Sequence, residues 1–274
     1  MSNIAVIGLG IIGASICAAL SKAGYKVDGV DLNAENIQIA HQKGYICKKA
    51  ENLADYDVIF VAVPPKATQF ILENTVFKDG AIVSDICGIK LAIEKTVFSQ
   101  PRKYCYVGIH PMAGKETSGI ESASPDLFNN ANLVITLCEH TDKKAVQEIK
   151  KYANAMRFGR IVECSAEEHD QKIALTSQLA HIVSNAYVKS PQVSNCKGFT
   201  GGSFQDMTRI AGVDEHIWTE LYMGNREFIL KELDGLIEQL SVYREALVNQ
   251  DENALSDALK DGRLIRQNIK YKRN

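Results

Sequence analysis

The sequence predicts an α/β N-terminal domain followed by an all-α C-terminal domain, and three observations carry that reading. Short apolar runs alternate with amphipathic stretches as far as Cys164, the pattern of a parallel sheet with helices on both faces. The chain opens on an apolar run that passes through three closely spaced glycines into a segment rich in small residues. Beyond Cys164 the β-branched runs stop and helical periodicity takes over.

Taken in order, strands fall near residues 3–7, 26–31, 58–63, 81–84 and 105–109, then 131–137 and 160–164. A helix over 145–156 follows the polar segment 139–144. The boundary lies close to Ser165, giving domains of residues 1–164 and 165–274, and 274 residues suit two domains of ordinary size. With no Pro/Ser-rich linker between them, they are expected to pack closely around a cleft. In the second domain, a helix over 166–190 puts Leu175, Leu179, Ile182 and Ala186 at helical spacing, with Asp170, Ser177, His181 and Ser184 along another side. Farther on, Ile229, Leu233, Leu236, Leu240, Tyr243 and Leu247 repeat at alternating intervals of four and three. That spacing fits an internal core helix or a dimer interface equally.

Composition narrows the function. The 31 Lys and Arg against 33 Asp and Glu, a net charge of −2, give no basic field for nucleic acid. No stretch approaches the ~18 apolar residues that cross a bilayer, and the apolar start lacks the basic flank of a signal peptide. Seven scattered cysteines without CxxC spacing indicate reduced thiols in a cytoplasm, with neither a disulfide framework nor a metal site.

Residues 4–13, IAVIGLGIIG, place G-x-G-x-x-G between strand and helix. Gly8 permits the tight turn, Gly10 lets the backbone approach a pyrophosphate, and Gly13 allows close helix–strand packing. Ile11 and Ile12 open a helix whose free N–H groups face the phosphates. The second strand ends at Asp31, 18 residues after Gly13, where a carboxylate would hold a ribose 2′-hydroxyl and repel a 2′-phosphate, favouring NAD over NADP. These features describe a Rossmann-type dinucleotide-binding domain; the plainer alternative is a tight turn with Asp31 capping the next helix.

A second segment, GIHPMAGKETSG at residues 108–119, delivers His110 at the carboxyl end of a short strand, the edge where ligands bind in an open parallel sheet. A histidine there can act as a general base near neutral pH, or can be a loop histidine with its hydrogen bonds satisfied.

Together, GLGIIG at 8–13, DVIFVAVPP at 57–65, the 108–119 block, HD at 169–170, SQLAH at 177–181 and DMTRIAGVDEHIW at 206–218 resemble the prephenate/arogenate dehydrogenase family along nearly the whole chain. The HPMAG and DMTRIA blocks are far more specific than the glycine fingerprint. The resemblance implies NAD(P)-dependent oxidative decarboxylation of prephenate or arogenate, in a cleft between a nucleotide-binding domain and a helical domain that forms a homodimer. It implies that His110 takes the proton of the ring hydroxyl as hydride leaves the same carbon for the nicotinamide. Arg209 would bind substrate carboxylate, a task for a planar charged fork, and His181, Gln178, Glu116 and Trp218 would line the pocket. Val63 and Pro64, within DVIFVAVPP, join the cofactor-binding positions. Plainer roles exist for Arg209 in an ion pair, Trp218 in core packing and Glu116 as a solvated loop charge.

Two positions depart from the family pattern. Many members carry a serine in a D-x-G-S-x-K loop that helps orient the histidine; here the loop is Asp85-Ile86-Cys87-Gly88-Ile89-Lys90, so a water, Cys87 or another group would have to supply the hydrogen bond missing at Gly88. The family's H-L-P-H reads Gln178-Leu179-Ala180-His181, and Gln178 hydrogen-bonds without titrating. The chain ends soon after the helical part with a basic run at 270–273, so no added regulatory domain is expected and tyrosine feedback would act at the active site. The expected reaction converts prephenate and NAD⁺ to 4-hydroxyphenylpyruvate, carbon dioxide and NADH in tyrosine biosynthesis. The alternatives are arogenate as substrate, a catalytically silent NAD-sensing protein suggested by Gly88, and a β-hydroxyacid or imine reductase, in which the HPMAG block would have no purpose.

Overall fold

A computed structural model describes residues 2–115 and 117–269; Glu116 and the basic run at 270–273 lie outside the described residues. The chain divides into two compact units, Met1–Arg226 and Glu227–Asn274.

In the first unit, β1 (Ile4–Ile7), β2 (Val27–Val30), β3 (Val58–Val61), β4 (Ile82–Asp85) and β5 (Cys105–Tyr106) form an all-parallel sheet in the order β2-β1-β3-β4-β5. Every residue of β1 and β3 is buried, as central strands covered on both faces must be. Alternate side chains divide between those faces. Ile4, Val6, Val58 and Phe60 cluster with Ile16 and Leu20 of α1 (Ile11–Lys22) and with Ile149 and Tyr152 of α5 (Lys143–Ala155). Ala5, Ile59, Val61 and Val83 cluster with Leu72 of α3 (Pro65–Asn74) and with Ile93 and Val97 of α4 (Leu91–Phe98). Between β2 and β3 runs α2 (Ala34–Gln42). The strand order reverses between β1 and β3, which creates the crevice where an open α/β sheet binds ligands.

The strand expected over 105–109 is not continuous, and the strands form two sheets instead of the single parallel sheet the alternation predicts. After β5 the chain enters a second sheet, in which β6 (Gly108–Met112) runs antiparallel to β7 (Asn132–Thr136) and β8 (Arg160–Cys164) parallel to β7. Val107 makes the crossing: its N–H donates to Val83 O at 3.0 Å, while its carbonyl accepts from Ser84 Oγ at 2.7 Å. Gly108 follows because a Cβ there would lie 2.5 Å from Thr136 Oγ1 and 2.9 Å from the Tyr106 hydroxyl. His110 therefore sits mid-strand opposite Val134, not at the carboxyl end of the parallel sheet.

After Cys164 the described chain is helical and irregular. Ser165 Oγ accepts from the Glu168 N–H at 3.1 Å and caps α6 (Ala166–Ile173), a Ser-x-x-Glu helix start. The single helix expected over 166–190 is interrupted: a π-helical segment, Ala174–Leu179, separates α6 from α7 (Ala180–Tyr187). Such segments recur at functional sites. The interruption divides the expected polar stripe, so that Asp170 meets the start of α4 and Ser184 Oγ donates to Met207 O at 2.7 Å in α8 (Gly202–Thr208). The last helix begun and finished in this unit is α9 (Glu215–Gly224).

The second unit is carried by α10 (Arg226–Val248) and α11 (Glu252–Asn268). Asp251 Oδ1 caps α11 by accepting from the Ala254 N–H at 2.9 Å, and Tyr243 donates to Ala258 O at 3.4 Å. Of the seam residues, Leu240 and Leu247 are more than half exposed, as are Ile237 and Val248 on α10 and Leu259 and Ile265 on α11. Among the described residues no helix is long and apolar enough to cross a membrane.

Candidate active site

At the head of β1, Gly8 has φ +90°, and a Cβ there would lie 2.3 Å from Ala62 O. A Cβ on Gly13 would lie 1.9 Å from Gly8 O and 2.9 Å from Ala62 Cβ. The packing of α1 against the end of β3 thus requires both glycines. Gly10 differs, since no atom lies within 4 Å of its Cβ position, and the space its missing side chain leaves is open to a ligand. It also stands at the N-cap of α1 without a side-chain cap, so the first-turn N–H groups of Ile11 and Ile12 are presented outward.

Asp31 flanks this turn, its Oδ2 accepting from the Leu9 N–H at 2.6 Å and its Oδ1 from the Asn33 N–H at 2.8 Å. A carboxylate has further lone pairs for sugar hydroxyls. The cap of α2 is Asn33, whose Oδ1 accepts from the Glu35 N–H at 2.9 Å, so Asp31 is not spent on capping. Val63 lies against the turn, 2.7 Å from the Gly8 Cβ position, and Pro64 leads into α3. These residues fit a dinucleotide.

The second constellation converges on the start of α4. The Asp170 carboxylate accepts from the Lys90 N–H at 2.8 Å and the Leu91 N–H at 2.9 Å. Its Oδ1 lies 2.6 Å from His169 Nδ1, and His169 Nε2 lies 2.8 Å from His110 Nδ1. Asn225 locks the arrangement by donating to Asp170 O at 2.9 Å and to Gln178 Oε1 at 2.6 Å, while Gln178 Nε2 donates to Leu221 O at 3.4 Å. His169, Asp170, Gln178 and Asn225 are buried; His110 is half-buried. A Cβ at Gly88 would lie 3.7 Å from both Cε1 and Nε2 of His110, so the outer edge of the ring faces that gap.

Behind the ring, Lys90 and Asp85 are fully buried and paired at 2.5 Å. Asp85 also accepts from the Tyr106 hydroxyl at 2.6 Å and the Cys87 N–H at 2.9 Å. Burial, reinforced by His169 and the Lys90 ammonium, holds the His110 imidazole well below its ordinary pKa. Burial lowers His169 too, against the pull of Asp170. Cys87, whose thiol burial pushes up to about 12, points to Thr68 Oγ1 at 3.2 Å and Val63 O at 3.6 Å. Its thiol hydrogen bond is therefore made with those groups and not with His110.

A third group stands on α7 and α9. The His181 and Trp218 rings lie 4.0 Å apart, centroid to centroid, and His181 Nδ1 meets Ser177 O at 2.9 Å. Trp218 is half-buried against this ring and Tyr222. Arg209 is exposed at the end of α8, which α7 holds through Ser184 and through Asn185 donating to Ala211 O at 3.1 Å. On α9, Leu221 lies 3.4 Å from the Gly88 Cβ position and Glu220 accepts from the Lys66 N–H at 3.0 Å, just past Pro64. In the sequence, His169 and Lys90 stand within recognisable motifs without a role of their own, and Glu220 and Asn225 carry no motif. A His-Asp pair in the first turns of a polar helix and the lysine that closes the 85–90 loop are the legible signals among them.

Two family models match the chain: "Prephenate dehydrogenase, nucleotide-binding domain" over residues 16–162 and "Prephenate dehydrogenase, dimerization domain" over 165–261. The prephenate dehydrogenase of Bacillus subtilis (strain 168) is 30% identical over 264 residues, covering 91% of this chain and 71% of that one. The cyclohexadienyl dehydrogenase of Zymomonas mobilis is 27% identical, covering 98% and 96%. Among solved structures, prephenate dehydrogenase from A. aeolicus in complex with hydroxyphenyl propionate and NAD⁺ superposes with a TM-score of 0.84 at 28% identity, over 98% of this chain and 99% of that one.

Proposed function

The chain belongs to the prephenate dehydrogenase family, and from that premise we propose that it oxidatively decarboxylates prephenate with NAD⁺ to 4-hydroxyphenylpyruvate, carbon dioxide and NADH, a step of tyrosine biosynthesis. One observation carries the chemistry: His110 is tied through Nδ1 to a buried relay while Nε2 faces the Gly88 gap. Bound NAD⁺ would accept hydride from the hydroxyl-bearing ring carbon, and loss of the ring carboxylate as carbon dioxide would make the ring aromatic. The protein's part is to remove the hydroxyl proton at His110 Nε2, which its lowered pKa keeps unprotonated near neutral pH. Arg209 binds a substrate carboxylate, His181 and Trp218 line the substrate, and Gln178, buried and bonded to Asn225 and Leu221, braces the wall behind them; the family resemblance adds Glu116 to the same pocket.

On the cofactor side, Gly8, Gly10, Gly13, Ile11 and Ile12 hold the pyrophosphate, Val63 and Pro64 its far edge, and Asp31 the ribose, with NAD favoured over NADP. The division of labour falls at Ser165, with residues 1–164 binding cofactor and 165–274 completing the substrate site and a homodimer. The exposed Ile237, Leu240 and Leu247 of α10 and Leu259 of α11, within the stretch matching a dimerization domain, support that assembly, in a cytoplasmic enzyme. A monomer in light scattering at micromolar concentration would remove it.

The test is NADH appearance by ultraviolet absorbance, with prephenate or arogenate and with NAD⁺ or NADP⁺. Fastest turnover with prephenate and NAD⁺ is expected, and a preference for arogenate would reassign the substrate. No turnover in any combination, by folded protein that binds NAD⁺, would overturn the enzyme reading in favour of an NAD-sensing protein.

A further inference from the structure

We propose that His169 and Asp170 are positioning residues that fix His110 as the Nδ1–H tautomer, so that Nε2 is the atom that receives the substrate proton. The proposal rests on the reading of His110 as the base and adds what makes it one.

The direction of each hydrogen bond follows from Asp170. Its carboxylate can only accept, and backbone N–H groups of Lys90 and Leu91 already donate to its two oxygens. His169 Nδ1, 2.6 Å from the same Oδ1, must therefore be the protonated nitrogen. Burial keeps a second proton off His169, so its Nε2 carries a lone pair. That lone pair, 2.8 Å from His110 Nδ1, is satisfied only by an N–H on His110, and the remaining lone pair of His110 is at Nε2. The bond made by one ring nitrogen decides the state of the other. When Nε2 takes the hydroxyl proton, the ring becomes an imidazolium with both nitrogens protonated. Its Nδ1–H still donates to His169, and the Asp170 charge lies one ring away.

The relay is anchored without help from substrate. Asp170 is held by the backbone at the start of α4, its own carbonyl by Asn225, and His169 is 2% exposed. His110 comes from the second sheet, 59 residues away in sequence, so three separate segments specify one proton position.

The test reads that position directly. In protein labelled with ¹⁵N-histidine, long-range ¹H–¹⁵N spectra near neutral pH should show the His110 proton on Nδ1. His169→Leu, which offers no acceptor, should move it to Nε2 and lower kcat by about 100-fold, within the range typical of general-base catalysis, with KM and NAD⁺ affinity little changed. His169→Gln, whose amide can donate to Asp170 and accept from His110, should recover roughly tenfold of that loss. A purely structural role would move melting temperature and NAD⁺ affinity instead. Finding the wild-type proton on Nε2, or wild-type kcat in a folded His169→Leu protein, overturns the proposal; if that variant does not fold, the wild-type spectrum and the Gln variant decide. Failure of the base reading itself would show separately, as full turnover in His110→Asn.

Discussion

The glycine turn and the histidine relay occupy one compact unit and are made of opposite materials. At the turn, backbone and missing side chains form the surface: Gly8 and Gly13 are pressed against Ala62 and each other, and Gly10 opens outward. Even the charge nearby, Asp31, is gripped by main-chain N–H groups. At the relay, side chains from β6 and α6 meet the start of α4, and one ring nitrogen is left over for chemistry. Holding a phosphate calls for fixed dipoles that need no rearrangement, whereas moving a proton calls for a group that titrates. Damage to the first should therefore register in affinity or stability, and damage to the second in rate.

His110→Asn should break the rate side most severely. A fall in kcat of about 10²–10⁴-fold is expected, with the NAD⁺ Kd by calorimetry unchanged; a Kd that moves as far as kcat would erase the distinction between the two regions. Next come the glycines. Gly13→Ala forces a Cβ to within 1.9 Å of Gly8 O and should cost about 1–3 kcal/mol or more in denaturant unfolding. Gly10→Ala has open space for its methyl, so its stability should change by less than about 1 kcal/mol. Its NAD⁺ affinity should nonetheless fall roughly tenfold, equivalent to ~1.4 kcal/mol. Equal stability losses in the two variants would show that Gly10 serves the fold and not the ligand.

A smaller effect sharpens the relay side. A general base works unprotonated, and the His110 pKa is lowered, so activity should persist as pH falls past the ordinary imidazole value of about 6.5 and be lost only below it. The acidic limb of kcat/KM against pH measures this, and a limb at or above that value contradicts the burial argument. Least disruptive should be Gly88→Ser, whose Cβ meets His110 and Leu221 at ordinary contact distances of 3.7 and 3.4 Å. Stability should change by less than about 0.5 kcal/mol and kcat by a few-fold. A collapse in melting temperature would mean that the gap beside His110 is filled by the protein itself.

The same contrast explains what could be read from the chain. The turn was legible because its parts are contiguous: strand, Gly8, Gly10, Gly13 and then Asp31 occur in the order the geometry uses them. The relay joins His110 to His169 and Asp170 to Lys90 and Leu91, pairings set by how β6 leaves the first sheet, and no local periodicity encodes that departure. Strand alternation runs unbroken through 105–109 because Val107 stays bonded to β4 through both of its backbone groups, to Val83 O and Ser84 Oγ, and pairing with β7 begins only at Gly108. Helical spacing likewise ran through 166–190, and the π segment at Ala174–Leu179 changes side-chain direction without an obvious residue signal. Trp218 packs against both the His181 and the Tyr222 rings, which suits packing and a pocket wall alike.

Gly108 carries a consequence for how the active site tolerates change in chain length. Side chains alternate across a strand, so sliding β6 by one residue against β7 would turn His110 to the opposite face and take it from His169 altogether. What pins the register is the fit of a hydrogen atom, where any larger group would strike Thr136 Oγ1 and the Tyr106 hydroxyl. A single-residue insertion between Tyr106 and His110 would thus preserve every functional side chain and still dismantle the site, whereas the same insertion in the polar loop after β7 would leave the frame intact.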